Sequence, residues 1–430
     1  DEEGNAWTYN KSTDSYYLHY FSRKQPDLNW ENPEVRQEIF DMMRFWFDKG
    51  IDGFRMDSIS LIAKDPSFPL IDSKKYPDIF SFYAKEPRLH LYLHEMNRQV
   101  LSKYDCMSVG EGSAVMVDDV AKFVDPAREE LNMLYHFDAA RIRNTTLPDN
   151  PESGIDYSLI ALKKMFTEWD KAVDKGWPSI YLGNHDQPRM VSRFGSDKDE
   201  FRALSAKMLI TFLLTMRGTP YWFAGDEIGM RNIRFDRIED YNDIDTINRY
   251  KKAKAEGKDP QAVLDEQKET GRDNARTPFQ WDRSPEAGFT AGTPWLKVNP
   301  DYTWINVADE EKDPTSILNY FKKVVSFRKE NPSLIYGSYH LLDAENPQSY
   351  TFLRKTGADT YLIMLNFSPK AAISTPGIDM SNAHVLLDNY GDRSHMAPQK
   401  DITLRPFEAI VFQLNHPVYE SFIDSLDLLE

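Results

Sequence analysis

Three acidic residues, Asp57, Glu111 and Asp186, stand where carboxyl groups could catalyse a reaction. Each closes a short run of apolar and small residues, GIDGFRMD, CMSVGE and PSIYLGNHD, that is typical of a buried strand. An ionised group at such a place is costly unless it is paired or used. One carboxylate that attacks and one carboxylic acid that donates a proton form a set for nucleophilic and general acid–base catalysis.

The stretch from residue 50 to residue 60, GIDGFRMDSIS, carries the first acid together with a cation. Arg55 and Asp57 are two residues apart, so on a strand both side chains leave by the same face. An amphipathic helix is predicted over 35–50, with Gly50 as its left-handed cap. A structural ion pair at a strand end is the alternative interpretation of these two residues.

The elements that must position the acids alternate between strand and helix. Helices are predicted over 89–104, 156–176, 200–216 and 316–330, the third of them apolar on most of its surface. Strands are predicted to deliver the acids at 106–114 and 178–186, with others at 133–138 and 218–230. Acids at the carboxyl ends of strands that alternate with helices are typical of a βα barrel.

Five sequence motifs carry a resemblance to a known family. GFRMD, GE and NHDQPR follow one another in that order, and QPDLN at 25–29 and RDNARTPFQWD at 272–282 accompany them. The chain resembles the α-amylase family, glycoside hydrolase family 13, in its oligo-1,6-glucosidase branch, over essentially its whole length. The resemblance implies an α/β fold: strands four to eight of a (β/α)8 TIM barrel, then a C-terminal antiparallel β-sandwich.

The resemblance also implies a retaining, exo-acting α-glucosidase. Asp57 would be the nucleophile, with Arg55 beside it favouring the ionised form. Glu111 would be the acid/base, and its flanking glycines would let substrate approach closely. Asp186 and His185 would hold sugar hydroxyls. Arg276, Phe137 and Ser58 complete the expected substrate-binding set.

Ser58 bears on the linkage that is cleaved. In the resembled branch the position after the nucleophile tends to be Val in α-1,6-acting enzymes and Thr or Ala in α-1,4-acting ones. Alternation along a strand would turn Ser58 away from Asp57, while leaving it at the border of the leaving-group subsite. We expect α-1,6 cleavage on short gluco-oligosaccharides with some activity on α-1,4 bonds.

The domain organisation follows from the same resemblance. Residues 1–30 would be the end of an inserted domain B, 31–335 a partial catalytic barrel, and 336–415 the β-sandwich, with an acidic tail at 416–430. The first three barrel strands have no counterpart, so we expect a fragment or a separately supplied N-terminal piece. No cofactor is expected, and a calcium site is left open only for that missing portion.

Composition excludes several classes of partner. The formal net charge is −16, which argues against nucleic acid and anionic membranes. The longest apolar run, 208–216, is too short to span a bilayer. Cys106 has no partner cysteine and is expected to be a buried small hydrophobe. We expect a cytoplasmic enzyme, with periplasmic or secreted locations left open by the N-terminus.

Four alternatives remain to be compared. His90 and His94 are four apart, yet no third metal ligand accompanies them. No GxGxxG loop follows a strand, which argues against a nucleotide-binding protein. A transglucosidase or sucrose isomerase usually carries an RLDRD-like run where this chain reads RIRNTT, and RFDRI at 234–238 falls after the eighth strand. A non-catalytic amylase-like interaction module would lack the full acid set.

The charged insert 231–271 is expected to be a solvated helical excursion.

Overall fold

The computed structural model describes residues 5–72, 74–76, 78–357, 359–394 and 399–414. The predicted acidic tail at 416–430 lies outside the described residues. The chain forms two compact units, one of residues 1–137 with 171–179 and one of residues 138–170 with 180–430. Below they are called unit 1 and unit 2.

The helices are α1 (Pro33–Asp48), α2 (Ile79–Tyr83), α3 (Arg88–Gln99), α4 (Ala121–Val124), α5 (Asp138–Thr145), α6 (Leu159–Ala172), α7 (Met190–Phe194), α8 (Arg202–Thr215), α9 (Ile244–Ala255), α10 (Pro260–Thr270), α11 (Val307–Glu310), α12 (Ile317–Glu330) and α13 (Ser333–Tyr336). The strands are β1 (Trp7–Asn10), β2 (Ser15–Leu18), β3 (Gly53–Met56), β4 (Met107–Glu111), β5 (Met133–Tyr135), β6 (Ser179–Ile180), β7 (Thr219–Pro220), β8 (Ser338–Leu342), β9 (Ser349–Thr356), β10 (Asp359–Asn366), β11 (Ala372–Ser374), β12 (Ala383–Asp388), β13 (Ile402–Leu404) and β14 (Ala409–Leu414).

Helix α1 of unit 1 begins and ends as its sequence predicts. The Asn32 side chain accepts from the backbone N–H of Glu34, and Pro33 fills the first helical position, where a missing N–H costs nothing. The apolar stripe of α1 buries Phe40 and Phe47. Gly50 follows with a φ of +94°, which confirms the predicted glycine cap.

The acid-bearing strands of unit 1 form a parallel sheet in the order β3-β4-β5. Arg55 lies opposite Val109, and Glu111 lies opposite Tyr135. A Cβ at Gly53 would lie 2.0 Å from the Met107 carbonyl oxygen, so only glycine allows this close strand pairing. The register therefore brings the ends of β3, β4 and β5 to one edge of the sheet.

Unit 2 corrects two predicted strands. The ranges 178–186 and 218–230 contain only the two-residue strands β6 and β7, which pair with each other. Beyond β6 the chain turns at once, because the Asn184 side chain accepts from the backbone N–H of Asp186. Beyond β7 the chain turns at Gly225, whose φ is +103°. Helix α8 is buried on nearly every side, as predicted.

The charged insert 231–271 has its own apolar cluster, which corrects the expectation of a merely solvated excursion. Phe235, Tyr241 and Leu264 are buried together with Leu296. The helices α9 and α10 of the insert each begin at an aspartate, and the Asp243 side chain accepts from the backbone N–H of Thr246. The insert is thus a packed helical pair.

The C-terminal part of unit 2 is antiparallel, as predicted. One sheet has the order β12-β14-β10-β9-β8, and a second sheet pairs β11 with β13. The segment 402–414 forms two strands, β13 and β14, which are separated near Phe407, whose φ of +49° breaks the extended backbone.

A buried lysine joins α6 to this C-terminal part. The Lys163 ammonium donates to the carbonyl oxygens of Asp343, Asn346 and Ser349 at 3.0, 2.8 and 3.2 Å. Its side chain is fully buried. Burial lowers the pKa of Lys163 from its ordinary value of 10.5 to about 8. One cation therefore donates to three backbone carbonyl groups, in the loop between β8 and β9 and at the first residue of β9.

Replacing Lys163 with Met should lower the free energy of unfolding by about 3 kcal/mol, because three buried carbonyl groups lose their donor. Between pH 8 and 10.5 Lys163 is protonated in the unfolded chain and largely neutral in the folded one. The free-energy cost of burying its charge therefore falls as the pH rises through this window. Denaturant unfolding of both proteins should show the wild-type protein gaining stability over Lys163→Met from pH 8 to 10.5. A difference that stays constant would contradict this.

Candidate active site

One guanidinium organises the acidic residues of unit 1. Arg55 forms an ion pair with Asp57 through Nη1, and its Nη2 lies 3.0 Å from the Glu111 carboxyl oxygen Oε2. The carboxyl groups of Asp57 and Glu111 therefore share one guanidinium. Arg55 lies on β3, Asp57 directly follows the last residue of that strand, and Glu111 ends the neighbouring strand. The structure thus brings the predicted Arg55, Asp57 and Glu111 together.

The two carboxyl groups differ in their surroundings. The Asp57 side chain is 71% exposed, whereas that of Glu111 is 9% exposed. Burial raises the pKa of Glu111, against the Ser58 N–H and the Arg55 charge, which both favour its ionised form, and the Asp57 charge raises it further. An exposed carboxyl group beside a buried one whose pKa is raised is the arrangement that a nucleophile and an acid/base require.

Ser58 lies in a turn, outside strand β3. Its φ and ψ are 44° and 34°, a left-handed conformation, and its backbone N–H donates to Glu111 Oε2 at 2.8 Å. Strand alternation therefore does not set the direction of the Ser58 side chain, because β3 ends at Met56. Ser58 contacts Glu111 through its backbone.

The glycines beside Glu111 serve packing, which corrects the expectation that they open a path for substrate. A Cβ at Gly110 would lie 2.7 Å from Ile59 and 2.8 Å from Leu131. A Cβ at Gly112 would lie 2.4 Å from Leu134. The apolar side chains of neighbouring elements occupy the space that any larger residue would need.

Tyr135 is a site residue that the sequence reasoning missed. Its hydroxyl accepts from Arg55 Nε at 3.0 Å and from Nη2, and burial raises its pKa to about 12. Phe137, the residue expected from MLYHFD, has its ring centroid 5.8 Å from that of Tyr135. Tyr135 could have been found because it ends the strand beside that of Glu111, at the same edge as the acids.

The third predicted acid lies in unit 2 among cations. Asp186 Oδ1 accepts from Arg276 Nη2 at 3.0 Å and from Arg272 Nη1 at 3.3 Å. His185 Nε2 lies 3.1 Å from the other carboxyl oxygen, and Arg276 Nε donates to the His185 carbonyl at 2.8 Å. The structure thus brings His185, Asp186 and Arg276 together.

Arg272 and Asp243 were missed in the sequence. Arg272 bridges Asp186 and the buried Asp243, whose carboxyl group also receives the Thr246 hydroxyl. Although burial opposes it, the hydrogen bond from Arg272 lowers the pKa of Asp243. A signal was present for Arg272, since it belongs to the same RDNARTPFQWD motif as Arg276.

His185 and Arg276 line a cavity of about 500 Å³ in unit 2. Four aromatic side chains contribute to its wall, those of Phe223, Phe279, Phe289 and Trp295. Aromatic faces with a few polar groups are typical of pockets that bind small molecules such as sugars.

Other candidate residues have structural contacts. His90 Nδ1 lies 2.8 Å from Glu130, and His94 Nδ1 lies 3.1 Å from the Arg128 carbonyl. No group of three or more potential metal-ligating side chains is present among the described residues.

Cys106 is half-buried, because it precedes β4 and does not lie within it, which corrects the expectation of full burial. Within the described ranges no helix is long and apolar enough to cross a membrane.

Comparisons with known proteins agree on one family. The profile of the alpha-amylase catalytic domain matches residues 2–337. The oligo-1,6-glucosidase of Parageobacillus thermoglucosidasius is 48% identical over 424 residues, which cover 96% of this chain and 74% of that enzyme. The oligo-1,6-glucosidase of Bacillus cereus is 44% identical over 96% of this chain and 74% of its own length. These comparisons do not confirm the expected absence of the first three barrel strands.

Solved structures give the same result. A mutant of the trehalulose synthase MutB superposes with a TM-score of 0.87 at 37% identity, over 95% of this chain and 74% of that one. The isomaltulose synthase SmuA from Protaminobacter rubrum has a TM-score of 0.88 at 37% identity, over 96% and 74%.

The different surroundings of the two carboxyl groups can be tested by titration. Replacing Asp57 with Asn removes a negative charge beside Glu111, so the pKa of Glu111 should fall from its raised value. The ¹³C carboxyl shifts of labelled glutamate, assigned with a Glu111→Gln variant, would report this change. An unchanged or higher pKa in Asp57→Asn would show that the two groups do not interact.

Proposed function

Because this chain belongs to the alpha-amylase family, we propose that it is a retaining, exo-acting glucosidase that cleaves α-1,6 bonds at the non-reducing end of short gluco-oligosaccharides. It is a glycoside hydrolase, its catalytic domain has the TIM-barrel fold of the family, and an antiparallel β-sheet domain follows. The linkage, the chain length of the substrate and the roles of individual residues are the proposed part.

The observation that carries the proposal is the pair of carboxyl groups that share Arg55. Retaining glycosidases hold their two carboxyl groups about 5–5.5 Å apart, whereas inverting ones leave about 6.5–9.5 Å for a water molecule. Asp57 and Glu111 contact the two terminal nitrogen atoms of one guanidinium, which draws the two carboxyl groups together. This closeness supports the retaining mechanism.

The reaction then runs in two balanced displacements. The Asp57 carboxylate attacks the anomeric carbon while the Glu111 carboxyl group donates its proton to the departing glycosidic oxygen. Glu111, now ionised, takes a proton from water, whose oxygen attacks the same carbon and releases Asp57. Both reactant groups are restored, and the steps need no cofactor.

Residues of unit 2, and Phe137 of unit 1, supply binding in this proposal. Asp186, which two arginines and His185 contact, would accept hydrogen bonds from sugar hydroxyls. Arg276 and the aromatic cavity beside it would hold the sugar unit of the leaving group. Phe137 would contact substrate from its place beside Tyr135.

The proposed linkage rests on the curated relatives and on Ser58. The relatives at 42–48% identity are named oligo-1,6-glucosidases, in one case probable, which supports α-1,6 cleavage. Ser58 is smaller than the Val of the α-1,6-acting enzymes in this branch and supports some tolerance of α-1,4 bonds. Size discrimination of one or two carbon atoms is worth only about 1–3 kcal/mol, so the preference should be moderate.

A sucrose-isomerising transglucosidase is the second candidate. The structural similarity to trehalulose and isomaltulose synthases favours it, at 37% identity. The run RIRNTT, at 141–146, differs from the RLDRD-like run that usually accompanies such activity. The hydrolase is therefore preferred.

Replacing Glu111 with Gln should affect substrates according to their leaving group. With isomaltose, kcat/KM should fall at least about 1,000-fold, because the leaving oxygen then departs without a proton. With 2,4-dinitrophenyl α-glucoside, formation of the covalent intermediate should persist, since that leaving group needs less protonation. Burst kinetics on both substrates measure the difference, and equal losses would rule out the acid/base role.

Replacing Ser58 with Val should raise the kcat/KM ratio of isomaltose to maltose, because the added bulk narrows the path of the α-1,4-linked sugar. Since a β-branched residue is unfavourable at a φ of +44°, a Ser58→Asn variant, which tolerates this conformation, controls for the backbone. Purified variants would be compared on both disaccharides. If Ser58→Val leaves the ratio unchanged, this residue does not set linkage.

A further inference from the structure

The QPDLN segment carries a carboxylate that takes no part in the proposed reaction. Both oxygens of Asp27 accept from the Lys64 ammonium, at 2.6 and 2.7 Å. The side chains are 18% and 10% exposed, so water competes little for the pair. A well-shielded pair with two short hydrogen bonds holds its geometry closely.

Lys64 also reaches a backbone carbonyl. Its ammonium donates to the Leu61 carbonyl oxygen, and it lies 5.3 Å from the ring centroid of Tyr20 and 5.8 Å from that of Tyr83. The stem and head of the lysine are thereby fixed from several directions. The carbonyl of Leu61 is thus held at a defined place.

Leu61 ends the short turn that begins at Ser58. The Leu61 N–H donates to the Ser58 carbonyl at 2.9 Å, closing the turn. Ser58 itself has the left-handed backbone conformation that non-glycine residues rarely adopt, and such a conformation persists only where its surroundings enforce it. It presents the Ser58 N–H to Glu111 Oε2 at 2.8 Å.

A second contact fixes the turn against the strand of Glu111. Ile59 is 5% exposed and packs where a side chain on Gly110 would otherwise lie. The turn therefore touches β4 both at Glu111 and at the residue before it. Its position decides whether the Ser58 N–H meets the carboxyl group.

We infer that Asp27 and Lys64 are positioning residues for Glu111, which they hold through the Leu61 carbonyl and the Ser58 backbone N–H. This inference rests on the proposed function and deepens it. It gives the QPDLN segment a role at the acid/base that involves no contact with the sugar.

The position of the Ser58 N–H affects both reach and protonation of Glu111. Within unit 1 the charged and titratable groups that face Glu111 are Arg55, Asp57 and Tyr135. None of these contacts Asp27 or Lys64 in the described hydrogen bonds or ion pairs. A change at Asp27 or Lys64 should therefore act on Glu111 through the N–H.

The experiment compares Asp27→Asn and Lys64→Met in the full chain with a matched control. The control is Glu95→Gln, which breaks the ion pair of Arg36, a cation that likewise donates to a carboxylate at 2.7 Å and to a backbone carbonyl, that of Trp30. For each variant, kcat/KM would be measured from pH 4 to 9, about the range in which a carboxyl acid/base titrates, on isomaltose and on 2,4-dinitrophenyl α-glucoside.

Asp27→Asn and Lys64→Met should lose about tenfold more activity on isomaltose than on the activated glucoside, as expected for an impaired proton donor. The alkaline limb of their kcat/KM pH profile should move to higher pH, because loss of the hydrogen bond from the Ser58 N–H removes an interaction that favours ionised Glu111. Glu95→Gln should change neither the ratio nor the limb.

The inference would be overturned if Asp27→Asn and Lys64→Met lost kcat/KM equally on both substrates and the alkaline limb of their pH profile did not move. If Lys64→Met does not fold, as judged by its melting temperature, the milder Asp27→Asn decides by the same two readouts. The Glu111→Gln variant distinguishes failure of the proposed function from failure of the positioning role. If it shows no leaving-group dependence, the proposed function fails; if it does while Asp27→Asn behaves like Glu95→Gln, only the inference fails.

Discussion

The guanidinium of Arg55 is the constraint on which the acidic residues of unit 1 depend. It contacts a solvated carboxylate, a buried carboxyl group and a tyrosine hydroxyl at once, those of Asp57, Glu111 and Tyr135. Two like charges this close would repel each other without a shared cation. With it, the exposed Asp57 and the buried Glu111 can lie side by side, and burial raises the pKa of Glu111. The proposed roles of Asp57 as nucleophile and Glu111 as acid/base follow from that difference in solvent exposure.

The sheet makes this arrangement reproducible. Parallel pairing in the order β3-β4-β5 places Glu111 opposite Tyr135 and brings Arg55 alongside. Gly53, Gly110 and Gly112 allow the strands and the following turn to approach to distances that a Cβ would forbid. The same close packing seats Ile59 against β4 and so places the Ser58 N–H on the buried carboxyl group. Catalytic geometry is here a consequence of strand spacing.

Sequence reasoning found the elements whose pattern is local. The helix over α1 with its Gly50 cap and the buried α8 follow from periodicity and turn residues, and the antiparallel C-terminal domain was implied by the family resemblance. The acids were found because charged residues ended apolar runs. What failed depended on tertiary contacts. The strands β6 and β7 are two residues long because their continuations form turns, and Ser58 leaves β3 for a left-handed turn. Tyr135, Arg272 and Asp243 were missed because their roles arise only from partners distant in sequence.

The central claim is that Asp57 is the nucleophile of a retaining reaction, and trapping of the covalent intermediate tests it most directly. A 5-fluoro-α-glucosyl fluoride would be incubated with the enzyme, followed by proteolysis and peptide mass spectrometry. The account predicts one added fluoroglucosyl group, attached to Asp57, and none in an Asp57→Asn variant. Attachment to Glu111 or to another residue, or turnover that inverts the anomeric centre without an adduct, would contradict it.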